Sequence, residues 1–258
     1  MITARHSRFV RRRVFQFALL GVAAPLLSGA LLQESGSQPT ARVPSNIVWN
    51  EETIASANGG NAIRGLVLSR RCERCHGTEG FSQDASTPNL AGMDRLSFWK
   101  EMNDFRDGKR QSRFMQPIAA ALMPADFADL AAYYSMLPTY PDPMDTRAFP
   151  QAATESFPNA RPARLVGGGD GSRGIPPCQA CHGPLARKNG APSLETQNSS
   201  YIEEQLNAFA VGTRTNDIDM PMRSIAGLLT AEERQALAAY YGSGKADFQP
   251  TPASNPNP

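Results

Sequence analysis

Apolar residues recur along this chain at spacings of three and four. From about Glu51 a helical pattern begins in which Ile63, Leu66 and Val67 share one face and run directly into Cys72. That face is expected to pack into a core. Leu96, Trp99, Met102 and Phe105 mark a second amphipathic helix that stops at Gly108, and Phe127, Leu130, Ala131 and Tyr134 give Pro124 to Met136 a third. With these helical stripes, the expected fold class is all-α. The pattern then returns. Leu130-Ala131-Ala132-Tyr133-Tyr134 reappears 107 positions later as Leu237-Ala238-Ala239-Tyr240-Tyr241. Phe105 and Gly108 return as Phe209 and Gly212, and Pro88-x-Leu90 as Pro192-x-Leu194, each 104 positions on. Offsets this constant across a whole module indicate a duplicated domain, with Thr230-x-x-Glu233 as a capping box opening the last helix.

Between and around the repeats the periodicity disappears. The expected boundaries are 1–32, an export segment or membrane anchor; 33–50, a polar tether; 51–137, the first domain; 138–161, a proline-rich linker; 162–245, the second domain; and 246–258, a tail with four prolines in thirteen residues. At 258 residues the chain has room for two small domains.

The first segment changes the meaning of the charge. The formal net charge is +2, yet Arg5, Arg8, Arg11, Arg12 and Arg13 all precede an apolar run from Val14 to Leu32. Without them 21 basic residues face 24 acidic ones, so the remainder is mildly acidic and nucleic-acid binding is not expected. An arginine-rich start, an apolar run and Ser28-Gly29-Ala30 as a small-residue cleavage site describe an export signal. The run is also close to the ~20 residues that span a bilayer, so an uncleaved inner-membrane anchor fits equally well. Both alternatives place the rest of the chain on the far side of the membrane.

The chemistry lies in one stretch that occurs twice: Cys72-Glu73-Arg74-Cys75-His76 and Cys178-Gln179-Ala180-Cys181-His182. Two thiols three apart on a helical turn can both add to the vinyl groups of one haem edge, and the adjacent imidazole can reach the iron. All four cysteines and two of the three histidines are used. A zinc site would leave the histidines unexplained, and a thioredoxin-like pair would need a βαβ context that is absent from the pattern. Two covalently bound haem c groups are therefore expected, held by Cys72, Cys75, Cys178 and Cys181, with His76 and His182 on the irons.

The third histidine, His6, lies in the export segment, so bis-histidine ligation is not available to an exported protein. Methionine is the natural opposite ligand. Aligning the repeats pairs Met115 with Met222, each followed three residues later by Ile-Ala; Met220 is the alternative in the second unit, because Met220-Pro221-Met222 permits a two-residue slip. A soft thioether favours iron(II) and leaves no vacancy for oxygen or peroxide. No catalytic residue is assigned, and an electron carrier rather than an enzyme is expected.

At these residues the chain resembles a class I cytochrome c duplicated in tandem, similar to the two-haem cytochrome c-four group of bacterial periplasms. The likeness covers about residues 55–137 and 162–245. It implies two small helical domains, each around one haem, and backbone carbonyls of Pro88 and Pro192 turned to the two histidines. It also implies redox partners such as a quinol-oxidising complex, a terminal oxidase or reductase, or a dehydrogenase of which this chain is the cytochrome subunit. The two-haem peroxidases and thiosulfate dehydrogenases are disfavoured, since they would need a further histidine or cysteine ligand.

Overall fold

In the computed structural model, residues 44–139, 161–183, 189–195 and 197–242 are described. The export segment, most of the tether, the linker from 140 to 160 and the tail lie outside them. The described residues are helical, with a single isolated bridge between Asp170 and Ile175.

In the first half, α1 (Glu51–Asn58) opens on Asn50, whose Oδ1 accepts from Thr53 N while Asn50 N donates to Thr53 Oγ1. After the Gly59-Gly60 break, Asn61 caps α2 (Ala62–Ser69) by accepting from the amides of Ile63 and Arg64. Then follow α3 (Glu73–His76), α4 (Arg95–Arg106), α5 (Met115–Ala120) and α6 (Pro124–Met136). Asp94 caps α4, and Pro124 supplies the preset φ that suits a first helical residue. The second half comprises α7 (Arg161–Gly167), α8 (Gln179–His182), α9 (Ser199–Ala210), α10 (Pro221–Leu228) and α11 (Ala231–Gly242). The expected capping box opens α11: Glu233 N donates to Thr230 Oγ1 and Thr230 N to Glu233 Oε2. Gly108 and Gly212 stand at the same place after α4 and α9, at φ 68° and 67°.

Each half has its own core. Leu90, Phe98, Met102, Phe105, Phe127, Leu130 and Tyr134 build the first, and Leu165, Ile175, Ile202, Leu229, Leu237 and Tyr241 the second. In both, the helix before the Cys-x-x-Cys-His stretch packs on the last one, α2 on α6 and α7 on α11.

The outward face of α2 corrects one expectation. Ile63 and Val67 are 76% and 63% exposed and Leu66 is also exposed, so the stripe read as core faces away from it. The buried face of α2 carries Gly65 and Ser69, small residues that allow close approach to α6. A Cβ at Gly65 would lie 2.1 Å from the Asp129 carbonyl oxygen, which is why the crossing uses glycine and not an aliphatic side chain.

The halves meet through polar groups. Asn89 N donates to Gln197 Oε1 at 2.8 Å and Gln197 Nε2 returns a bond to Asn89 O at 3.1 Å. Asn198 Nδ2 donates to the carbonyls of Asp84 and Thr87. Beside these pairs, Glu101 accepts from Arg110 at 2.6 Å and from Arg214 at 3.0 Å, while Arg110 also reaches Tyr201 and Gln205.

Candidate haem sites

Cys72 is the residue before α3 and Cys178 the residue before α8. Each pair of thiols is thus spread over one helical turn, followed at once by its histidine. All four cysteines are free. Burial pushes the thiols of Cys72 and Cys178 above their ordinary pKa. Such a setting disfavours the thiolates that a zinc site would need, and suits neutral thioether sulfur.

The imidazoles are held in one orientation. His76 Nδ1 donates to the Pro88 carbonyl at 2.8 Å and His182 Nδ1 to the Pro192 carbonyl at 2.7 Å. A carbonyl oxygen only accepts, so the proton is on Nδ1 and the lone pair on Nε2, the state in which a histidine binds a metal. His76 is buried, and burial lowers its pKa against the opposing effect of the Pro88 carbonyl. Both contacts implied by the Pro-x-Leu segments are therefore present.

The two methionines fall on short helices. Met115 is the first residue of α5; its amide donates to Ser112 Oγ, and its side chain packs against the first core, as does that of Cys72. Met222 is the second residue of α10 and lines a cavity of about 240 Å³ whose wall also includes Cys178, Cys181, His182, Leu194 and Tyr241. Met220 is 55% exposed. Asp219 and Met220 both take φ of 63°, a strained backbone for residues with a side chain, and the turn is pinned by Asp217 accepting from Arg223 N and Nε. This strained turn brings Met222 rather than Met220 to the cavity. Met123, without a methionine counterpart in the second repeat, is exposed as well.

The cavity suits a large apolar ring with acidic substituents. Its lining is mostly apolar, and its polar wall carries Lys100, Arg110 and Arg214 beside Glu101. Burial alone would raise the Glu101 carboxyl, but Lys100, Arg214 and Arg110 hold it well below the usual carboxylate range. Tyr134 and Tyr241 lie against Cys72 and Cys178, and burial first, then the neighbouring thiol, pushes both phenols up.

Sequence reasoning missed Trp49, Lys100, Glu101, Arg110 and Arg214. The four charged residues belong to no motif and no apolar stripe. Trp49 lay in a stretch with no period, yet residues 44–50 are tied down, with Ser45 Oγ donating to Asp104 and Trp49 packing 6.4 Å from Trp99.

A family model for cytochrome c matches residues 176–245. A thiosulfate dehydrogenase electron acceptor of Stutzerimonas stutzeri is 38% identical over 175 residues, spanning 67% of this chain and 78% of that protein. Cytochrome c4 of Pseudomonas aeruginosa is 33% identical over 185 residues, spanning 70% and 87%. The crystal structure of reduced recombinant cytochrome c4 from Pseudomonas stutzeri aligns with a TM-score of 0.60 at 31% identity, over 71% of this chain and 98% of that one.

Proposed function

The chain belongs to the cytochrome c4 family of di-haem electron-transfer proteins, and from that premise we propose that it carries electrons in the periplasm between a respiratory donor complex and a terminal oxidase or reductase. It carries two covalently bound haem c groups, which supply the one-electron Fe(III)/Fe(II) couple. Cys72 and Cys75 would hold one and Cys178 and Cys181 the other, with His76 and Met115, and His182 and Met222, as the residues that would bind the irons. The single observation that carries the assignment is the matched pair of pinned imidazoles, His76 on Pro88 and His182 on Pro192.

The residues do three things in this reading. The proline carbonyls keep each Nε2 lone pair aimed at the metal position and raise its basicity. Met115 and Met222 would each supply a thioether sulfur, a soft ligand that favours the reduced state. The apolar walls keep water away, so little rearranges when the charge on the iron changes.

A second reading, a cytochrome subunit that accepts electrons from a dehydrogenase, is favoured by the 38% identical electron acceptor. Copurification with a larger catalytic subunit would select it. Export is assigned to residues 1–32, either cleaved or retained as an anchor, and the intact mass of the exported protein distinguishes the two. Among the described residues no helix is long and apolar enough to cross a membrane.

The test of the core assignment is spectroscopic. The exported protein should give two haems per chain by pyridine haemochrome, show a sulfur-to-ferric charge-transfer band when oxidised, and bind no carbon monoxide when reduced. Ready carbon monoxide binding would mean an open iron and would remove the carrier assignment.

A further inference from the structure

We propose that Trp49, on the strap preceding α1, is a cofactor-binding residue of the second half, its indole Nε1–H donating to a propionate of the haem held by Cys178 and Cys181. The proposal rests on the two-haem reading above and assigns a contact from outside both repeats.

Three observations converge on it. Trp49 Nε1 is buried without a hydrogen-bond partner among the described residues, and a buried donor left unsatisfied is costly enough to be rare. The same side chain lines the cavity that holds Cys178, His182 and Met222. It also reaches the second half directly. A Cβ at Gly190, two residues before Pro192, would lie 2.9 Å from the indole ring, so a side chain there would displace the tryptophan.

The acceptor is identified by chemistry. The carboxylates beside the strap are engaged: Glu101 takes Lys100, Arg110 and Arg214, and Asp104 takes Lys100, Asn216 and Ser45. A haem bound through its vinyl edge to two cysteines brings two carboxylates on its opposite edge. These are the only ionised groups on the ring, and the cationic wall of the cavity suits them.

A donor on a propionate withdraws negative charge that would otherwise stabilise ferric iron. Trp49→Phe keeps an aromatic ring and removes the donor, so one of the two one-electron waves should fall in potential while the other stays. Each tenfold change in the ferrous-to-ferric ratio reads as about 59 mV. The carboxylate loses a partner for its ionised form, so the pH-dependent segment of the same wave should move to higher pH. A ring that merely packs would move no pH segment, and unchanged waves, or a fall without the pH shift, would overturn the proposal. Trp99→Phe leaves Trp49 as the only tryptophan of the chain, and ultraviolet resonance Raman of that holoprotein should show a hydrogen-bonded indole N–H; a free one would overturn it without need of the first variant. Haem stoichiometry is measured alongside, because fewer than two haems in the parent protein contradicts the two-haem reading itself.

Discussion

At the scale of single residues, the two histidines and the two methionines were legible to different degrees. The histidines were fixed by adjacency to the cysteines, a local constraint that any sequence displays. Met222 had a rival two residues away, and only the strained turn at Asp219 and Met220 shows which sulfur reaches the cavity. Met222→Ala should therefore abolish the sulfur-to-ferric band of one haem and let that iron bind carbon monoxide. Met220→Ala should leave the spectrum unchanged, since its side chain is 55% exposed. Trp49 was illegible for a physical reason. Its neighbours 44–50 have no hydrophobic period, and its place is set by residues such as Trp99 and Gly190 far away in the chain.

At the scale of helices, capping and patterning were readable and close crossings were not. The span Pro124 to Met136 was recovered because it carries proline at its start and four apolar residues on one stripe, all buried. The face of α2 was misread because a tight crossing selects glycine and serine, which carry no hydropathy signal, while the stripe of Ile63, Leu66 and Val67 lies outward. Gly65→Ala should destabilise the protein by about 2 kcal/mol, because the new methyl meets backbone and overpacking outweighs the helix-propensity gain. Gly227→Ala in α10, where nothing lies within 4 Å, should instead be neutral or stabilising by up to ~1 kcal/mol. Thermal midpoints of the two variants would show the opposite signs.

The α11 cap gives a pH-dependent test at the same scale. Hydrogen bonds from Arg173, then Thr230 and Arg161, outweigh burial and bring the Glu233 carboxyl down to about 2 from its ordinary value of 4.5. A depressed folded-state value means stability that is present above the unfolded pKa and lost as pH falls from about 4.5 toward 2. Glu233→Gln should then cost most near neutrality, and its gap from the parent protein in denaturation midpoint should close across that acid range. A gap independent of pH would mean that the cap, and not the charge, carries the effect.

At the scale of the whole molecule, the repeat announced two similar halves but not how they join. Charged residues on a helix and a loop look solvated in a one-dimensional pattern, and only the tertiary structure brings Glu101 of α4 between Arg110 and Arg214. Lys100, Asp104, Tyr201, Gln205 and Asn216 complete this network, in which most groups are largely withdrawn from water. Among the described residues, removing the central anion leaves three cations facing one another with Asp104 as the one protein carboxylate in contact. Breaking such a pair costs more than the pair contributes, because the remaining charges stay buried. Glu101→Ala should weaken the contact between the halves by about 3 kcal/mol, at the low end of what a broken buried pair costs because the site is partly open. The loss should appear as separation of the unfolding of the two halves, with far-ultraviolet dichroism and each haem band no longer changing together. Glu101→Gln keeps the hydrogen-bond acceptor and should cost less. The parent protein should lose the same contribution in acid, since the arginines and lysine hold Glu101 ionised well below the usual range and its protonation at low pH removes the central charge. Coincident transitions in Glu101→Ala would show that the halves are held by the Asn89–Gln197 pair and its neighbours instead, and that the ionic cluster only surrounds a contact made elsewhere.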